Sequence, residues 1–376
     1  MAHAYTPGLR VTPWAVVRRE RRLPLKGAVL VKPGDAVEPD TVVARTDLPG
    51  NVQTVNLAAR LATDPARVPE SLLVAVGTAV KKGQPLARAK SLFGLMTQTV
   101  ESPVDGTIES VSHVTGQLIL REPPLPVEVT AYVKGVVAEV LPEEGVVVEA
   151  RGAFLQGIFG VGGETSGPIA IAVESADREL TGDRLKPEHR GAVVVGGSHV
   201  SYDTLMQARS IGVAAVVVAG FDDGDLRRLL GRDLGVAITG SEELGLTLVL
   251  TEGFGRIPMS DRAWKLLLGG RAHVASVSGA TQIRAGVMRP EILVPRDAPP
   301  AGESSGEAGY GTALDLGSTL RVIREPHFGR IGRVVELPAE LLALDSEARV
   351  RVLVVEFADD GTRATVPRAN VELISS

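Results

Sequence analysis

GAVVVGG at 191–197 begins a stretch in which apolar and amphipathic runs alternate: SYDTLMQARSIG (201–212), VAAVVVAGF (213–221), DLRRLLG (225–231) and LTLVLTEGF (246–254). Valine-rich runs bounded by glycine are typical of strands that are buried on both faces. Such strands form parallel sheets covered by helices. The stretch therefore predicts a central α/β domain with a mostly parallel sheet over residues 158–295.

The composition excludes several classes of protein. The chain has 376 residues and no cysteine, which excludes disulfides, thiolate nucleophiles, iron–sulfur clusters and cysteine-ligated zinc. Its net charge of −5 is small for a protein that coats nucleic acid. The longest apolar run, near residues 212–220, is shorter than the about 20 residues that a membrane helix needs, and the opening residues lack the apolar core of a signal peptide. We therefore expect a cytoplasmic protein that does not enter a membrane.

A basic cluster near the start of the chain comprises Arg10, Arg18, Arg19, Arg21 and Arg22. Such a cluster can meet phosphates or an acidic partner surface. The alternative is a solvated edge strand whose arginines oppose aggregation.

Residues 1–157 consist of short valine-rich runs separated by Gly, Pro or Asp, which predicts an all-β unit. The unit contains an internal repeat, because KPGDAVEPDTVVA (32–44) and AVGTAVKKGQPLA (75–87) carry glycine and apolar residues at the same offsets. A second pair, GTIESVSHVTG (106–116) and GVVAEVLPEEG (135–145), has glycines at equal spacing. Because glycine supplies the positive φ that tight turns need, we expect hairpins of matched length.

The run VGTAVKKGQPLARAK (76–90), followed by ESPVDGTIESVSHVTGQL (101–118), resembles the barrel-sandwich hybrid fold of the biotinyl and lipoyl domains and their unmodified relatives. The resemblance implies that a carrier member would hold its prosthetic group on a lysine at an exposed hairpin tip, and only Lys90 lies near that position. Lys90 is not flanked by Met on both sides, as in the biotinyl signature. The sequence therefore favours a structural or docking barrel over a carrier, and we expect no cofactor.

Polar residues follow the predicted strands of the central domain. Right-handed crossovers place these strand-to-helix turns along one edge of the sheet, where open α/β sheets usually bind ligands. The candidate ligand-binding residues are Ser198, His199, Asp222, Asp223, Thr251 and Glu252, with Thr239, Ser241, Thr281, Gln282 and Arg284 near the same edge. The acidic members could hold a hard divalent cation through oxygen ligands. The alternative is that they are ordinary helix caps and turn residues.

No catalytic motif accompanies these residues in the sequence. Ser198 and His199 are adjacent, so they point to opposite sides of an extended chain, and no Gly-x-Ser-x-Gly elbow is present. The six histidines are scattered without a His-Glu-x-x-His pair, so the sequence predicts no dedicated transition-metal site. The glycine-rich stretch GAFLQGIFGVGGETSG (152–167) lacks the Lys-Ser or Lys-Thr of a phosphate-binding loop. The sequence favours a protein without enzymatic activity.

Residues 296–313 combine Pro, Gly, Ser and Glu with almost no apolar residues, which predicts a flexible linker. After it, the string FGRIGRVVEL (328–337), preceded by LRVI (320–323) and closed by VPRANVELI (366–374), resembles the KOW motif. That motif occurs in small Src-homology-3-like barrels of bacterial transcription elongation factors and large-subunit ribosomal proteins. The resemblance implies that residues 314–376 form a small β-barrel that binds RNA, the ribosome or an RNA polymerase-associated protein.

Basic residues around the motif loop, with an aromatic ring between them, are the candidates for contact with such a partner: Arg321, Arg324, His327, Phe328, Arg330 and Arg333. A ring flanked by arginines can stack on a base or dock in a protein groove. Residues 314–376 contain eight arginines against ten acidic residues, which is a poor balance for following a phosphate backbone. The alternative is that Phe328 fills the barrel mouth and the arginines are solvated.

These features together predict an α+β multi-domain protein. It would consist of an N-terminal all-β barrel-sandwich hybrid (1–157), a central α/β domain (158–295), a linker (296–313) and a C-terminal small β-barrel (314–376). The predicted function is a non-catalytic adaptor whose C-terminal barrel engages RNA or a transcription- or translation-associated protein. The alternative is a small-molecule- or metal-binding α/β domain, with or without enzymatic activity, that carries accessory β modules.

Overall fold

The computed structural model describes residues 9–90, 97–231, 244–281, 288–299, 314–323, 326–327, 329–338, 341–343 and 349–373. Strands account for 47% of the structure and helices for 15%, so the protein is β-rich, with one large mixed sheet and several small sheets. No helix among these residues is long and apolar enough to cross a membrane. Residues 300–313 of the predicted linker lie outside the described residues.

The N-terminal part consists of short strands with little helix. Its strands are β1 (Val11–Arg22), β2 (Ala28–Val29), β3 (Ala36–Val37), β4 (Val42–Leu48), β5 (Val52–Asn56), β6 (Ala79–Val80), β7 (Pro85–Lys90), β8 (Thr97–Glu101), β9 (Gly106–Val111), β10 (Gln117–Arg121), β11 (Leu125–Thr130), β12 (Gly135–Leu141) and β13 (Gly145–Gln156). Helix α1 (Leu57–Leu61) and a 3₁₀ helix (Pro65–Ser71) follow β5. The small sheets have the strand orders β5-β10-β9-β6, β11-β4-β2 and β7-β8.

The two copies of the sequence repeat occupy equivalent positions in two separate hydrophobic cores. Val37 and Val43 of the first copy are buried in one core, and Val80 and Leu86 of the second copy are buried in another. The glycine that opens each copy has the positive φ that its turn requires, +92° at Gly34 and +87° at Gly77. The repeat in the sequence is therefore a structural repeat with one core per copy.

The central part alternates strands and helices. Its strands are β14 (Phe159–Val161), β15 (Glu164–Ile171), β16 (Val193–Val195), β17 (Ala215–Phe221), β18 (Thr247–Phe254), β19 (Val274–Ser278) and β20 (Glu291–Pro295). Its helices are α2 (Tyr202–Ile211), α3 (Asp223–Leu230) and α4 (Asp261–Gly269), with 3₁₀ turns at Gly182–Arg184 and Pro187–His189. Strands β15 to β18 pair in parallel in chain order. Every residue of β16 and β17 is buried, as expected for apolar strands with both faces covered.

The parallel strands belong to a larger mixed sheet that also contains N-terminal strands. Its order is β14-β18-β17-β16-β15-β19-β20-β13-β12-β3, with β1 also paired to β13. The first half of β13 pairs with β12 and its second half pairs with β20, while β1 runs antiparallel along nearly its whole length. The sheet is therefore continuous across residue 157, where the sequence suggested a boundary between domains.

The C-terminal part is an antiparallel arrangement of six strands with its own core. The strands are β21 (Thr319–Val322), β22 (Ile331–Glu336), β23 (Leu341–Ala343), β24 (Arg349–Phe357), β25 (Arg363–Pro367) and β26 (Val371–Leu373), with a 3₁₀ turn at Arg368–Asn370. Their order is β23-β24-β22-β21-β26, and β25 also pairs with β24. Leu320, Val334, Leu353 and Phe357 are among the residues of its core. We refer to the described residues within 314–373 as the C-terminal unit and to those within 9–299 as the body.

Candidate functional site

His199 and Asp222, two of the predicted ligand-binding residues, lie together at the carboxyl edge of the parallel strands. His199 follows β16 and forms an isolated bridge with Gly220 of β17, and Asp222 is the N-cap residue of α3. The His199 side chain is 1% exposed, and its Nε2 atom lies 3.2 Å from Asp222 Oδ2. The two groups are not oriented for a hydrogen bond, so Nε2 has no hydrogen-bond partner among the described residues.

The other ring nitrogen of His199 connects this pair to two further loops. Nδ1 lies 3.2 Å from Glu179 Oε1, and Glu179 Oε2 accepts a hydrogen bond from Arg256 Nη1 at 2.6 Å. The Glu179 carboxylate therefore lies between the His199 imidazole and the Arg256 guanidinium and connects three loops. A general acid or base has to reach a substrate proton, and a side chain as buried as His199 does not offer that access.

Ser198 and Asp223 make contacts outside this cluster. The Ser198 hydroxyl donates to the backbone oxygen of Asp177 at 2.8 Å, on the other side of the chain from His199. Asp223 forms an ion pair with Arg227 one turn further along α3, at 2.6 Å. The structure therefore does not pair the Ser198 hydroxyl with the adjacent imidazole.

Thr251 and Glu252 are both buried near the end of β18. Glu252 Oε1 accepts hydrogen bonds from the backbone nitrogen of Ser260 at 2.9 Å and from Thr251 Oγ1 at 3.3 Å, which connects β18 to the start of α4. In the part of the chain that the structure describes, no three His, Asp or Glu side chains gather as a possible metal site. Thr239, Ser241, Gln282 and Arg284 lie outside the described residues.

A buried network of charges occupies the same strand end and was not anticipated from the sequence. Arg321 of β21 is 2% exposed, and its Nη1 atom donates to the backbone oxygens of Thr251, at 3.0 Å, and of Glu252. Arg321 Nη2 and Arg289 Nη1 each lie 3.2 Å from Glu372 Oε2. We call Glu252, Arg289, Arg321 and Glu372 the junction network, because the body and the C-terminal unit each supply one Arg and one Glu. These residues come from four separate segments, so no local sequence pattern connects them.

The other residues predicted to bind a partner differ in whether their side chains are exposed and in which groups they already contact. Arg330 donates to Asp359 Oδ2 at 3.0 Å, and its guanidinium carbon lies 3.8 Å from the centre of the Phe357 ring. The His327 ring also packs on Phe357, with 5.0 Å between ring centres. Arg333 is exposed on β22 and has no ion-pair partner within the described residues. Two further candidates, Arg324 and Phe328, lie outside the described residues.

Four arginines of the basic cluster lie on β1 and form ion pairs with acidic side chains of the body, whereas Arg10 lies just before β1. The ion pairs are Arg18–Glu149, Arg19–Glu291, Arg21–Glu164 and Arg22–Glu144. The Tyr132 hydroxyl also donates to Glu291, at 3.2 Å, and burial raises the pKa of Tyr132 well above its usual value. These arginines therefore contribute to contacts between strands.

A cleft of about 870 Å³ lies beside β13, between the stretch that pairs with β12 and the stretch that pairs with β20. Two valines with unusually high exposure line it, Val136 at 45% and Val274 at 47%. Its charged lining residues are Lys134, Arg151, Arg296, Glu38, Glu149 and Asp297. The cleft is therefore amphipathic and electrically balanced, and it lies away from the carboxyl edge that the sequence indicated.

Comparison with known proteins leaves the chain without an assigned family. No protein-family model matches it. No curated protein matches its sequence at a significant level.

Proposed function

We propose that this chain is a non-catalytic, multi-domain adaptor whose C-terminal unit binds a partner and whose body supports that unit. The observation that carries the proposal is how the ionisable side chains at the carboxyl edge are used. His199 contacts Glu179, and Glu252 contacts Arg321 and the Ser260 amide. These contacts connect loops to one another and connect the two parts of the chain. They therefore have a structural role, which supports a non-catalytic scaffold.

The C-terminal unit is proposed as the partner-binding part because FGRIGRVVEL (328–337) resembles the KOW motif. An antiparallel arrangement of six strands around a small core supports the assignment of this unit as a Src-homology-3-like barrel. The repeat in the N-terminal part, with one core per copy, supports its assignment as a barrel-sandwich hybrid. Lys90 ends β7, and the proposal gives it no prosthetic group.

The charges of the C-terminal unit favour a protein partner over RNA. Binding to RNA depends on cations that are free to neutralise phosphates. Arg330 is paired with Asp359, Arg363 is paired with Glu356, and Arg321 is buried in the junction network. Arg333 and Arg351 are exposed and form no ion pair among the described residues, and Arg333 is the one that lies within the KOW-like string, so it is the cation proposed to meet an acidic protein surface. By the KOW resemblance, that surface belongs to a ribosomal or RNA polymerase-associated protein.

The proposal is tested by affinity capture from native lysate with three forms of the full-length protein. They are the unmodified chain, Arg333→Glu, and the matched charge reversal Arg60→Glu, which changes an exposed arginine of α1. We expect the unmodified chain and Arg60→Glu to enrich ribosomal or RNA polymerase proteins equally. Arg333→Glu should reduce that enrichment several-fold, because reversal of an interface charge turns an attraction into a repulsion.

Treatment with ribonuclease separates the two kinds of partner. Enrichment that persists after ribonuclease supports direct binding of protein, and enrichment that disappears identifies RNA as the ligand instead. If the unmodified chain enriches neither ribosomal nor polymerase components over a bait-free control, the proposal is refuted.

Binding of a small molecule is the second candidate function, and the cleft beside β13 favours it. Ligand sites are commonly clefts of about 300–1,000 Å³ at the junction of structural units, with apolar walls and a few polar groups. A ligand from a panel of nucleotides, sugar phosphates and amphipathic acids should raise the melting temperature of the protein. Val136→Phe, which narrows the cleft, should abolish the rise, whereas Val114→Phe at another exposed valine should not.

A further inference from the structure

Two glycines lie at the contact between the C-terminal unit and the body. The backbone nitrogen of Phe254 at the end of β18 donates to the oxygen of Gly329 at 3.1 Å. A Cβ atom on Gly253 would clash with that same Gly329 oxygen, and a Cβ atom on Gly329 would clash with the Phe254 ring. Both glycines have positive φ, +158° and +80°. The sequence thus provides glycine on both sides of the contact, which allows one backbone to lie directly against the other.

Arg321 provides the electrostatic part of the same contact. Its guanidinium donates to two consecutive carbonyl oxygens, those of Thr251 and Glu252, and so holds a segment of extended backbone. The Glu252 carboxylate lies 3.9 Å from the same guanidinium nitrogen. The C-terminal unit therefore contacts residues 251–254 as it would contact a bound peptide, through backbone carbonyls, one acidic side chain and one aromatic ring.

The junction network is balanced in charge but incompletely hydrogen-bonded. Within the described residues, Arg321 Nε and Glu372 Oε1 are buried and have no hydrogen-bond partner. Removing charged groups from water carries a penalty that can equal the attraction between them, so a buried network of this kind is weak evidence for a permanent contact. Most buried apolar residues of the C-terminal unit form a core of their own, and Ile323 is the residue of the unit that packs with the core of the central part. Release of the unit would therefore withdraw Ile323 from the central core and leave the unit's own core intact.

We propose that the surface of the C-terminal unit formed by Arg321, Gly329 and Ile331, whose side chain lies beside Gly253, is its partner-binding surface, and that residues 251–254 of the body compete for it. The inference deepens the proposed function and rests on it, because it identifies the site on the unit and the chemistry of the partner. The partner presents an extended segment with an acidic residue followed closely by an aromatic residue, as Glu252 and Phe254 do. Partner binding then requires release of the C-terminal unit from the end of β18.

Opening of the contact is tested with full-length variants that carry a steric wedge. Gly253→Ala places a methyl group against the Gly329 oxygen, whereas Gly191→Ala, also at positive φ (+71°) but with no neighbouring atom in reach of its Cβ, is the matched control. Hydrogen exchange of the Phe254 amide reports the contact, and the Gly255 amide, bonded to Phe221 within the body, is the internal reference. We expect Gly253→Ala to accelerate exchange at Phe254 much more than at Gly255, and Gly191→Ala to accelerate neither.

Binding is tested with the synthetic peptide TLVLTEGFGR, which copies residues 247–256 of the chain. A tethered competitor acts at a high effective concentration, so we expect the peptide to bind Gly253→Ala at least about tenfold more tightly than the unmodified protein. A peptide with alanine in place of Phe254 should bind weakly to both. Equal affinity for the two proteins, or no binding to the opened variant, would overturn the inference.

A second variant covers the case in which Gly253→Ala damages β18 itself. Gly329→Ala places its methyl group against the Phe254 ring from the other side of the contact. It should also accelerate exchange at Phe254, but it should not bind the peptide, because the change lies in the proposed binding surface. Peptide binding by Gly329→Ala would overturn the inference. If peptide binding fails while Arg333-dependent capture of ribosomal or polymerase proteins persists, the inference falls and the proposed function stands.

Discussion

Replacement of Arg321 by methionine should weaken the contact between the C-terminal unit and the body by a measurable amount. Arg321 is 2% exposed and contacts Glu372, which is 1% exposed, together with two backbone oxygens of β18. Removal of one partner from a buried ion pair costs about 3–5 kcal/mol, because the other charge stays buried without compensation. Glu372 retains Arg289 as a partner, so we expect the lower end of this range, about 3 kcal/mol.

The assay is hydrogen exchange at the Phe254 amide, whose hydrogen bond to Gly329 crosses the contact. A free-energy change of about 3 kcal/mol corresponds to an increase of roughly 100-fold in the population that exchanges. Arg363→Met is the control, since Arg363 is 59% exposed and its pair with Glu356 is a surface pair worth about 0–1 kcal/mol.

A double variant separates the Arg321–Glu372 interaction from other effects of each change. Arg321→Met combined with Glu372→Gln removes both charges of the pair, so the cost should be smaller than the sum of the two single changes by about 0.5–3 kcal/mol. If Arg321→Met alone accelerates exchange less than about fivefold, or about 1 kcal/mol, the junction network does not hold the two parts together.

Three further outcomes are expected. Ser201→Ala should cost about 1 kcal/mol in urea unfolding, because the Ser201 hydroxyl accepts the cap hydrogen bond of α2, whereas Ser260→Ala should cost less because that side chain makes no such bond. Burial lowers the pKa of His189 in the folded protein below its usual value of 6.5. As the pH drops below 6.5, the unfolded chain therefore takes up a proton at His189 more readily than the folded protein does, and the stability of the folded state falls. His189→Gln should reduce the difference in urea midpoint between about pH 7.5 and about pH 5.5, and an unchanged difference would contradict this. The hydrogen bond from Thr362, assisted by Arg330, lowers the pKa of Asp360 from 3.8 to about 2. The ionised Asp360 carboxylate therefore stabilises the folded state above pH 3.8, and this stabilisation is lost as the pH falls through about 2. Thermal melts of Asp360→Asn over that interval should show a weaker acid dependence than those of the unmodified protein.

The strands and helices of the central part could be predicted because their signals are local. The apolar runs at 193–195, 215–221 and 247–254 form the buried parallel strands, and Ser201 and Asp222 are the N-cap residues of the helices between them. Hydrophobic periodicity and capping depend on residues a few positions apart, so a single sequence contains them.

The candidate site was only partly predictable. His199 and Asp222 lie together, as expected for residues at one edge of a parallel sheet, but Asp223 turns to Arg227 within its own helix. Glu179 and Arg256, which complete the cluster, have no sequence signal, because Glu179 reaches His199 from one loop and Arg256 reaches Glu179 from another. Whether Asp222 or Asp223 lies beside His199 depends on how side chains of separate loops pack together. A single segment of sequence does not contain that information.

The amino-acid sequence by itself determined the β-rich composition, the internal repeat with its turn glycines, and the parallel strand unit, since each follows from spacing along a short segment. Only the tertiary structure decided that β13 joins the N-terminal and central parts in one sheet and that Arg321 is buried rather than exposed. Arg321 meets Thr251 across 70 residues of chain, and Arg289 meets Glu372 across 83. A charge is buried where distant groups compensate it, and only the folded chain brings those groups together.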